Sequence, residues 1–299
     1  MSANVSQHLK TSMKRYRILE MSFDSRPWML GEEISESWEP KVQEQWRENR
    51  RHITEAVLAE YGHLQAEMKL RNFVDSGRIP FSVFAFHNRF VEQIRRSFVM
   101  GAYYPALTGA CALGERILNH LVILLRDEFR TTPEYKRVRS KDSFDNWELA
   151  IGTLGAWNIL LPDAAAAFRE LQTIRTRSIH FRPEVDMNDR QMALEARGCL
   201  LRIVELQFGA GGGKAWTMPE TPGEIFIKKE AESWPFVKHV YLSNCHLVGP
   251  RHTPAFEGGK LVVHDDHQYD DREVSDDEYR EMRKASLANK ALQPTAQAN

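Results

Sequence analysis

Apolar residues recur at steps of three and four along the middle of the chain, with polar residues between them. The clearest case is residues 97–125, where one helix face would carry Val99, Ala106, Ala110, Leu113, Ile117, Leu121 and Leu124. This spacing predicts an amphipathic helix. Pro105 lies inside the pattern and predicts a kink or a helix start, because proline lacks the backbone donor. Small residues on the same helix predict the close approach of a second helix; they are Gly101, Ala102, Ala106, Gly109 and Ala110.

Similar periodicity predicts further helices on both sides of this segment. One long helix is expected over 42–74, and another begins near Ser82. Ser143 is expected to cap a helix, because serine often caps a helix N-terminus. Pro162 suits the first turn of the next. A last helix of this group runs from Asn188 to about residue 206. Together these segments predict an antiparallel helical bundle over 82–208.

The pattern changes after a glycine run at 211–213. Short runs of period two at 225–227, 237–242 and 260–264 predict strands, and Ser275 with Glu278 has the capping-box spacing of a short last helix. The expected fold class is mainly α, an antiparallel helical bundle with a small C-terminal β-containing extension. The expected parts are an irregular segment 1–45, a helical domain 46–208, a Gly/Pro linker 209–223, an α+β extension 224–287 and a disordered tail 288–299.

Composition narrows the function classes only slightly. The chain has 299 residues, 42% of them hydrophobic and 27% charged, with a formal net charge of −1. These values are typical of a globular protein and provide no global attraction to nucleic acid or to a membrane surface. The three scattered cysteines do not form a disulfide framework, which favours a reducing compartment. We therefore expect a cytoplasmic protein with no membrane partner, and any nucleic-acid site must be a local patch.

The segment 169–183 carries the strongest candidate chemistry. Arg175 and His180 stand near the end of a predicted helix, with four residues between them. A guanidinium binds phosphate in a planar, two-pronged way, and an imidazole exchanges protons near neutral pH. Arg169, Arg177 and Arg182 add a local basic patch. The pattern fits chemistry on a phosphodiester, and it fits a solvated helix face equally well.

The chain here resembles the HEPN superfamily of small helical domains. The matching features are Gly101-Ala-Tyr103, Glu115, and an arginine separated by four residues from a histidine, Arg175 and His180. The resemblance covers about residues 90–208. One feature departs from the family: a polar Asn, Asp or His usually follows the arginine directly, and this chain has Thr176.

The resemblance implies a homodimer that binds RNA or cleaves it without a metal, in a toxin or defence setting. Arg169, Arg177 and Arg182 would bind the nucleic acid. His180 would be the general acid or base, Arg175 would stabilise charge on the phosphate, and Glu115 would orient Arg175. On a continuous helix, five steps of about 100° leave Arg175 and His180 about 140° apart. Either the helix unwinds near Ser178, or motifs from two subunits meet across a dimer interface. The alternative function is a non-catalytic helical dimerisation module that binds a protein or nucleotide partner.

A second group of metal-ligating residue types lies near the C-terminus. It comprises Cys245, His246, His252, His264 and His267. Thiolate and imidazole are good zinc ligands, but one cysteine with this spacing matches no structural zinc pattern. We therefore interpret the four histidines as ordinary surface histidines, and we expect no metal and no cofactor.

Overall fold

The fold is mainly α with a small β-containing part, as the hydrophobic periodicity predicts. The computed structural model describes residues 13–83, 87–179, 188–211 and 213–291. The chain divides into two units. The helical unit comprises residues 21–209, and the terminal unit joins the N-terminal residues up to 20 with those from 210 onward.

The elements follow one another in a simple order along the chain. They are β1 (Arg15–Ile18), β2 (Ser22–Asp24), α1 (Arg26–Gly31), α2 (Pro40–Tyr61), α3 (Ala66–Asp75), β3 (Ile79–Ser82), α4 (Asn88–Val99), α5 (Tyr103–Leu125), α6 (Pro133–Val138), α7 (Trp147–Ala156), α8 (Pro162–Ile179), α9 (Asp189–Phe208), β4 (Cys245–Val248), β5 (Thr253–Glu257), β6 (Lys260–His264) and α10 (Asp276–Ala291). Three antiparallel strand pairs form: β1 with β4, β2 with β3, and β5 with β6.

Helix α5 lies at the centre of the helical unit. It packs on α4, α7, α8 and α9, and its buried face includes Leu107, Leu113, Ile117, Leu118, Leu121 and Leu125. Burying one such side chain contributes about 1.5–3 kcal/mol, so this face explains why the helices associate. Helix α8 runs antiparallel to α5, because Cys111 lies beside Ser178 whereas Gly114 lies against Leu171.

Helices α8 and α9 are also antiparallel. The Cys199 thiol on α9 contacts the backbone oxygen of Ala167 on α8 at 3.1 Å, whereas Gln207 accepts from the N–H of Leu161 at 2.9 Å. Pro105 falls in the first turn of α5, so of the two expectations for this proline, the helix start is correct. Pro162 begins α8 as expected.

The small residues of α5 are used inside the chain. Ala106 and Ala110 are fully buried. A Cβ added at Gly109 would lie 3.1 Å from Cγ1 of Ile94 on α4. The second helix that these residues admit is therefore α4. The small residues of α5 therefore no longer argue for the predicted homodimer. The homodimer stays a prediction that rests on the resemblance.

Two helix predictions need correction. The expected helix over 42–74 is broken between α2 and α3, because Gly62 and Gln65 have positive φ values of 81° and 59°. Asn146, not Ser143, caps α7: its side chain accepts the N–H of Leu149 at 3.1 Å. Phe144 precedes that helix and is buried.

The N-terminal segment is more ordered than expected. Residues 13–45 contain β1, β2 and α1, and α2 begins at Pro40. Strand β1 pairs with β4, about 230 residues further along the chain, with Arg15 opposite Val248. A strand of four residues is too short to show a clear alternation in the sequence. Its stability depends on pairs with the neighbouring strand, which the local sequence does not show.

The terminal unit differs from the expected linker, extension and tail. Trp216 and Met218 are buried, so the stretch 209–223 is not a free linker. The predicted strand at 237–242 is a π-helical turn, Val237–Tyr241. Its buried residues Val237, Val240 and Tyr241 follow the i, i+3, i+4 spacing of a helix, not the alternation of a strand. Helix α10, correctly capped by Ser275, continues to Ala291 and so includes the first residues of the predicted tail.

One helical stretch, residues 103–129, is long and apolar enough to cross a membrane by length and composition. Half of its most apolar window is buried inside the protein. The core helix of a bundle has the same composition, because it is surrounded by other helices.

Candidate functional site

Glu115 and Arg175 form an ion pair between α5 and α8. The Nη2 atom of Arg175 lies 3.0 Å from Oε2 of Glu115. The two helices come close because residue 114 is a glycine: a Cβ there would lie 2.6 Å from Cδ2 of Leu171. The tight packing one residue away thus fixes the position of the carboxylate opposite the guanidinium. This is the one pair among the sequence-predicted site residues that the described structure brings together.

Trp147 of α7 completes this cluster. Its Nε1 donates to Oε2 of Glu115 at 3.2 Å, and the Arg175 guanidinium carbon lies 6.0 Å from the centre of a Trp147 ring. Trp147 is buried, whereas the side chains of Arg175 and Glu115 are 31% and 29% exposed. Arg175 is therefore held on one side and open to solvent on another, so its remaining N–H groups can reach an external anion.

The predicted general acid or base, His180, lies outside the described residues, as does Arg182. Helix α8 is helical through Ile179, and the hydroxyl of Ser178 donates to the backbone oxygen of Arg175 at 3.0 Å. The expectation that the helix unwinds near Ser178 is therefore wrong for that residue. Thr176, at the position where the chain departs from the family pattern, donates to the backbone oxygen of Gln172 at 3.0 Å.

The predicted arginine patch is partly neutralised. Arg169 pairs with Glu148 of α7, with Nε 3.0 Å from Oε1, and both side chains are about half exposed. Arg177 is exposed. Two arginines of the predicted patch, Arg169 and Arg175, thus already have a carboxylate partner, which lowers the positive potential that an anion would meet.

Sequence reasoning missed a buried polar cluster in the helical unit. Arg95 of α4 is 2% exposed and donates to Asp24 at 2.6 Å and to Glu92 at 2.8 Å. Arg197 of α9 is 1% exposed and interacts electrostatically with the same groups. The available signal was an arginine on an otherwise apolar helix face, since Ala193, Ala196 and Leu200 flank Arg197.

The terminal unit contains a second buried cluster that was not foreseen. Glu224 Oε1 lies 2.9 Å from Nη1 of Arg17 and 2.6 Å from Nη2 of Arg283. The same Nη1 of Arg17 lies 2.6 Å from Nε2 of His252. These four residues are distant in sequence. Arg17 comes near the others because β1 pairs with β4 and is also bridged, at Arg17 itself, to Phe226.

The prediction of surface histidines is wrong for His252, which is 1% exposed because it lies inside this cluster. The imidazole of His252 is neutral. Its Nδ1 lies 2.7 Å from the backbone oxygen of Gly249, which only accepts, so Nδ1 carries the proton and Nε2 accepts from Arg17. Burial, followed by the charges of Arg283 and Arg17, lowers the pKa of His252 to about 4. Burial raises the pKa of Glu224, but hydrogen bonds and charge from Arg283 and Arg17 outweigh it and leave that pKa below its usual range.

The other C-terminal histidines lie at separate places. His246 contacts Glu20 at 3.2 Å, and His264 contacts Glu257 at 2.6 Å. The His267 ring packs against Tyr269, and the thiol of Cys245 is free. Within the described ranges, no three histidine, cysteine or carboxylate side chains cluster in a way that could hold a metal ion.

Comparisons with known proteins do not identify a family. No protein-family model, no curated protein and no solved structure matches the chain. The resemblance to the HEPN superfamily therefore rests on the sequence features at Gly101, Glu115, Arg175 and His180 alone.

Proposed function

We propose that the helical unit binds RNA at Arg175 and cleaves it without a metal, in a cytoplasmic toxin or defence setting. In this proposal Arg175 stabilises charge on the phosphate, Glu115 positions Arg175, and His180 transfers the proton. The observation that carries it is the Glu115–Arg175 ion pair at 3.0 Å with a guanidinium that is still one-third exposed. A positioned cation that is open to solvent is what stabilisation of a phosphoryl transition state requires.

The proton transfer needs a group of its own. His180 is the only histidine in the sequence between residues 162 and 183, so the proton transfer is assigned to His180. A neutral imidazole could remove the proton of the ribose 2′-hydroxyl, and a protonated one could donate a proton to the leaving oxygen. Arg169, Arg177 and Arg182 would contribute to binding the RNA backbone, with Arg169 able to do so only by releasing Glu148.

The second candidate is a non-catalytic module that dimerises and binds a protein or nucleotide. It is favoured by the pairing of Arg169 and Arg175 with carboxylates, because ion pairs between helices also have a purely structural use. In that case the only role of the cluster is to stabilise the packing of α5, α7 and α8, through Glu115, Trp147 and Arg175.

Incubation of the purified protein with mixed RNA, with and without a chelator, tests the proposal. Cleavage should persist with the chelator, and His180→Ala should slow it by a factor of about 100 to 10,000. Arg175→Lys should also be impaired, because lysine lacks the planar fork. Glu115→Gln keeps an acceptor for Trp147 and removes the charge that positions Arg175, so cleavage should fall while the fold stays intact.

Arg137→Gln is the matched control, since Arg137 is an exposed arginine of α6 outside the cluster. Its activity should equal that of the parent. RNA binding without cleavage, lost in the Arg175 variant, would support RNA binding at Arg175 and refute the proposed cleavage. Absence of both binding and cleavage would exclude an RNA function.

A further inference from the structure

The terminal unit contains a large cavity that the proposed RNA function does not use. Its volume is about 970 Å³, at the upper end of the range for small-molecule sites. Part of its wall is apolar, with Met13, Pro250, Pro254, Met282 and Leu287. Another part of the lining is polar and includes Glu224, His252 and Arg283 of the buried cluster.

The buried cluster carries one positive charge too many. The side chains of Arg17, Arg283 and Glu224 are each 10% exposed or less, and the two guanidinium groups share the single carboxylate. His252 is neutral and offsets nothing. The Nε atom of Arg17 has no hydrogen-bond partner among the described residues. An uncompensated buried charge is costly, so such a cluster favours an anion nearby.

The mouth of the cavity is basic as well. Arg251 and Lys290 line it and are exposed, with Asp270 as the only carboxylate beside Glu224 among the described lining residues. With the histidines counted as neutral, the cations Arg17, Arg251, Arg283 and Lys290 face two carboxylates, a net charge of +2. A phosphomonoester carries about −1.5 to −2 charges at pH 7, so it would match this excess.

We propose that this cavity binds a small phosphomonoester whose partly apolar body packs on the Met13, Pro254, Met282 and Leu287 side. Arg251 and Lys290 contact the phosphate directly, and the buried Arg283 and Arg17 provide the field behind it. Arg283 is already committed to Glu224 and to the backbone oxygens of Pro250 and His252, the latter at 2.7 Å. Arg283 therefore forms part of the cavity wall and makes its potential positive, whereas the exposed Arg251 and Lys290 bind the phosphate.

The test is calorimetric titration of the full chain with adenosine 5′-monophosphate and with phenyl phosphate, each against its uncharged parent, adenosine or phenol. At least one phosphate should bind, its parent should bind at least tenfold more weakly, and high salt should weaken the binding. Arg251→Gln and Lys290→Gln should each weaken it about tenfold or more, the size of one lost charge-assisted hydrogen bond. Both side chains are exposed, so these variants should fold normally.

Two matched variants locate the site. Lys260→Gln removes an exposed cation of the same unit that does not line the cavity, and Arg175→Gln removes the candidate phosphate contact of the helical unit; both should bind like the parent. Failure of both phosphates to bind more tightly than their parents would overturn the proposal. Loss of binding in Arg175→Gln with no change in the Arg251 and Lys290 variants would also overturn it, and would place the anion at the proposed RNA site.

Discussion

Replacing Arg197 with methionine should make the protein more stable. Arg197 is 1% exposed, and its Nε and Nη2 atoms have no hydrogen-bond partner among the described residues. Burial and the neighbouring Arg95 lower its pKa to about 9, which leaves the group charged at pH 7. A buried charge without an acceptor costs several kcal/mol even after the surroundings relax.

Methionine keeps an unbranched apolar stem and removes the charge. We therefore expect Arg197→Met to raise the free energy of unfolding by about 1–4 kcal/mol, the range for replacing buried ionic groups with apolar ones. Arg95→Met is the matched control on the facing helix. Arg95 is equally buried, but it is paired with Asp24 and Glu92 at 2.6 and 2.8 Å. Its replacement removes these bonds, although Asp24 keeps Arg26 at 2.7 Å. The loss should cost about 1.5–3 kcal/mol, the range for hydrogen bonds to charged groups.

Urea unfolding followed by circular dichroism at 222 nm measures both changes, since the helical unit dominates that signal. The two variants should move the midpoint in opposite directions. A loss of stability in Arg197→Met as large as that in Arg95→Met would refute the reasoning. It would mean that Arg197 has an acceptor which compensates its charge.

Two further substitutions test the packing and the electrostatics. Gly114→Val should destabilise the helical unit by about 1–3 kcal/mol, as overpacking does, because a Cβ there would lie 2.6 Å from Leu171 and 2.9 Å from Trp147. Gly198→Val is the control, since a Cβ at position 198 would have nothing within 4 Å. An equal loss of stability in Gly198→Val would contradict the packing argument. His252→Gln should make the free energy of unfolding less sensitive to acid. Histidine in the unfolded chain takes up its proton below about pH 6.5, whereas the buried His252 does so only near pH 4. The stability that comes from keeping His252 neutral is therefore present above pH 6.5 and is lost as the pH falls toward 4. At pH 5 the parent should lose about 2 kcal/mol more than the variant, measured by urea unfolding at pH 7 and pH 5, and identical losses would show that His252 is not the group responsible.

The sequence by itself determined the helices and the main layers of the fold. The spacing of apolar residues on α5, the proline at position 162 and the capping serine at 275 are local features, and each acts within one or two turns of its own helix. Such features can be recognised in the sequence because the helical hydrogen bond joins residues only four positions apart. The same locality explains the mistakes. Gly62 and Gln65 break a pattern whose apolar spacing continues across them. Val237–Tyr241 is too short to separate a helical from an alternating pattern before its buried positions are known.

The tertiary structure decided which charged side chains meet, although the resemblance already implied the contact between Glu115 and Arg175. Glu115 and Arg175 are 60 positions apart, and they form a pair because α5 and α8 run antiparallel at the close approach allowed by Gly114. Arg17 meets Glu224, His252 and Arg283 because β1 pairs with a strand near the other end of the chain. No periodicity encodes such contacts, since long-range strand pairing and helix packing depend on the whole buried surface. Whether an arginine is solvated, paired or buried without a partner is for the same reason a property of the folded chain.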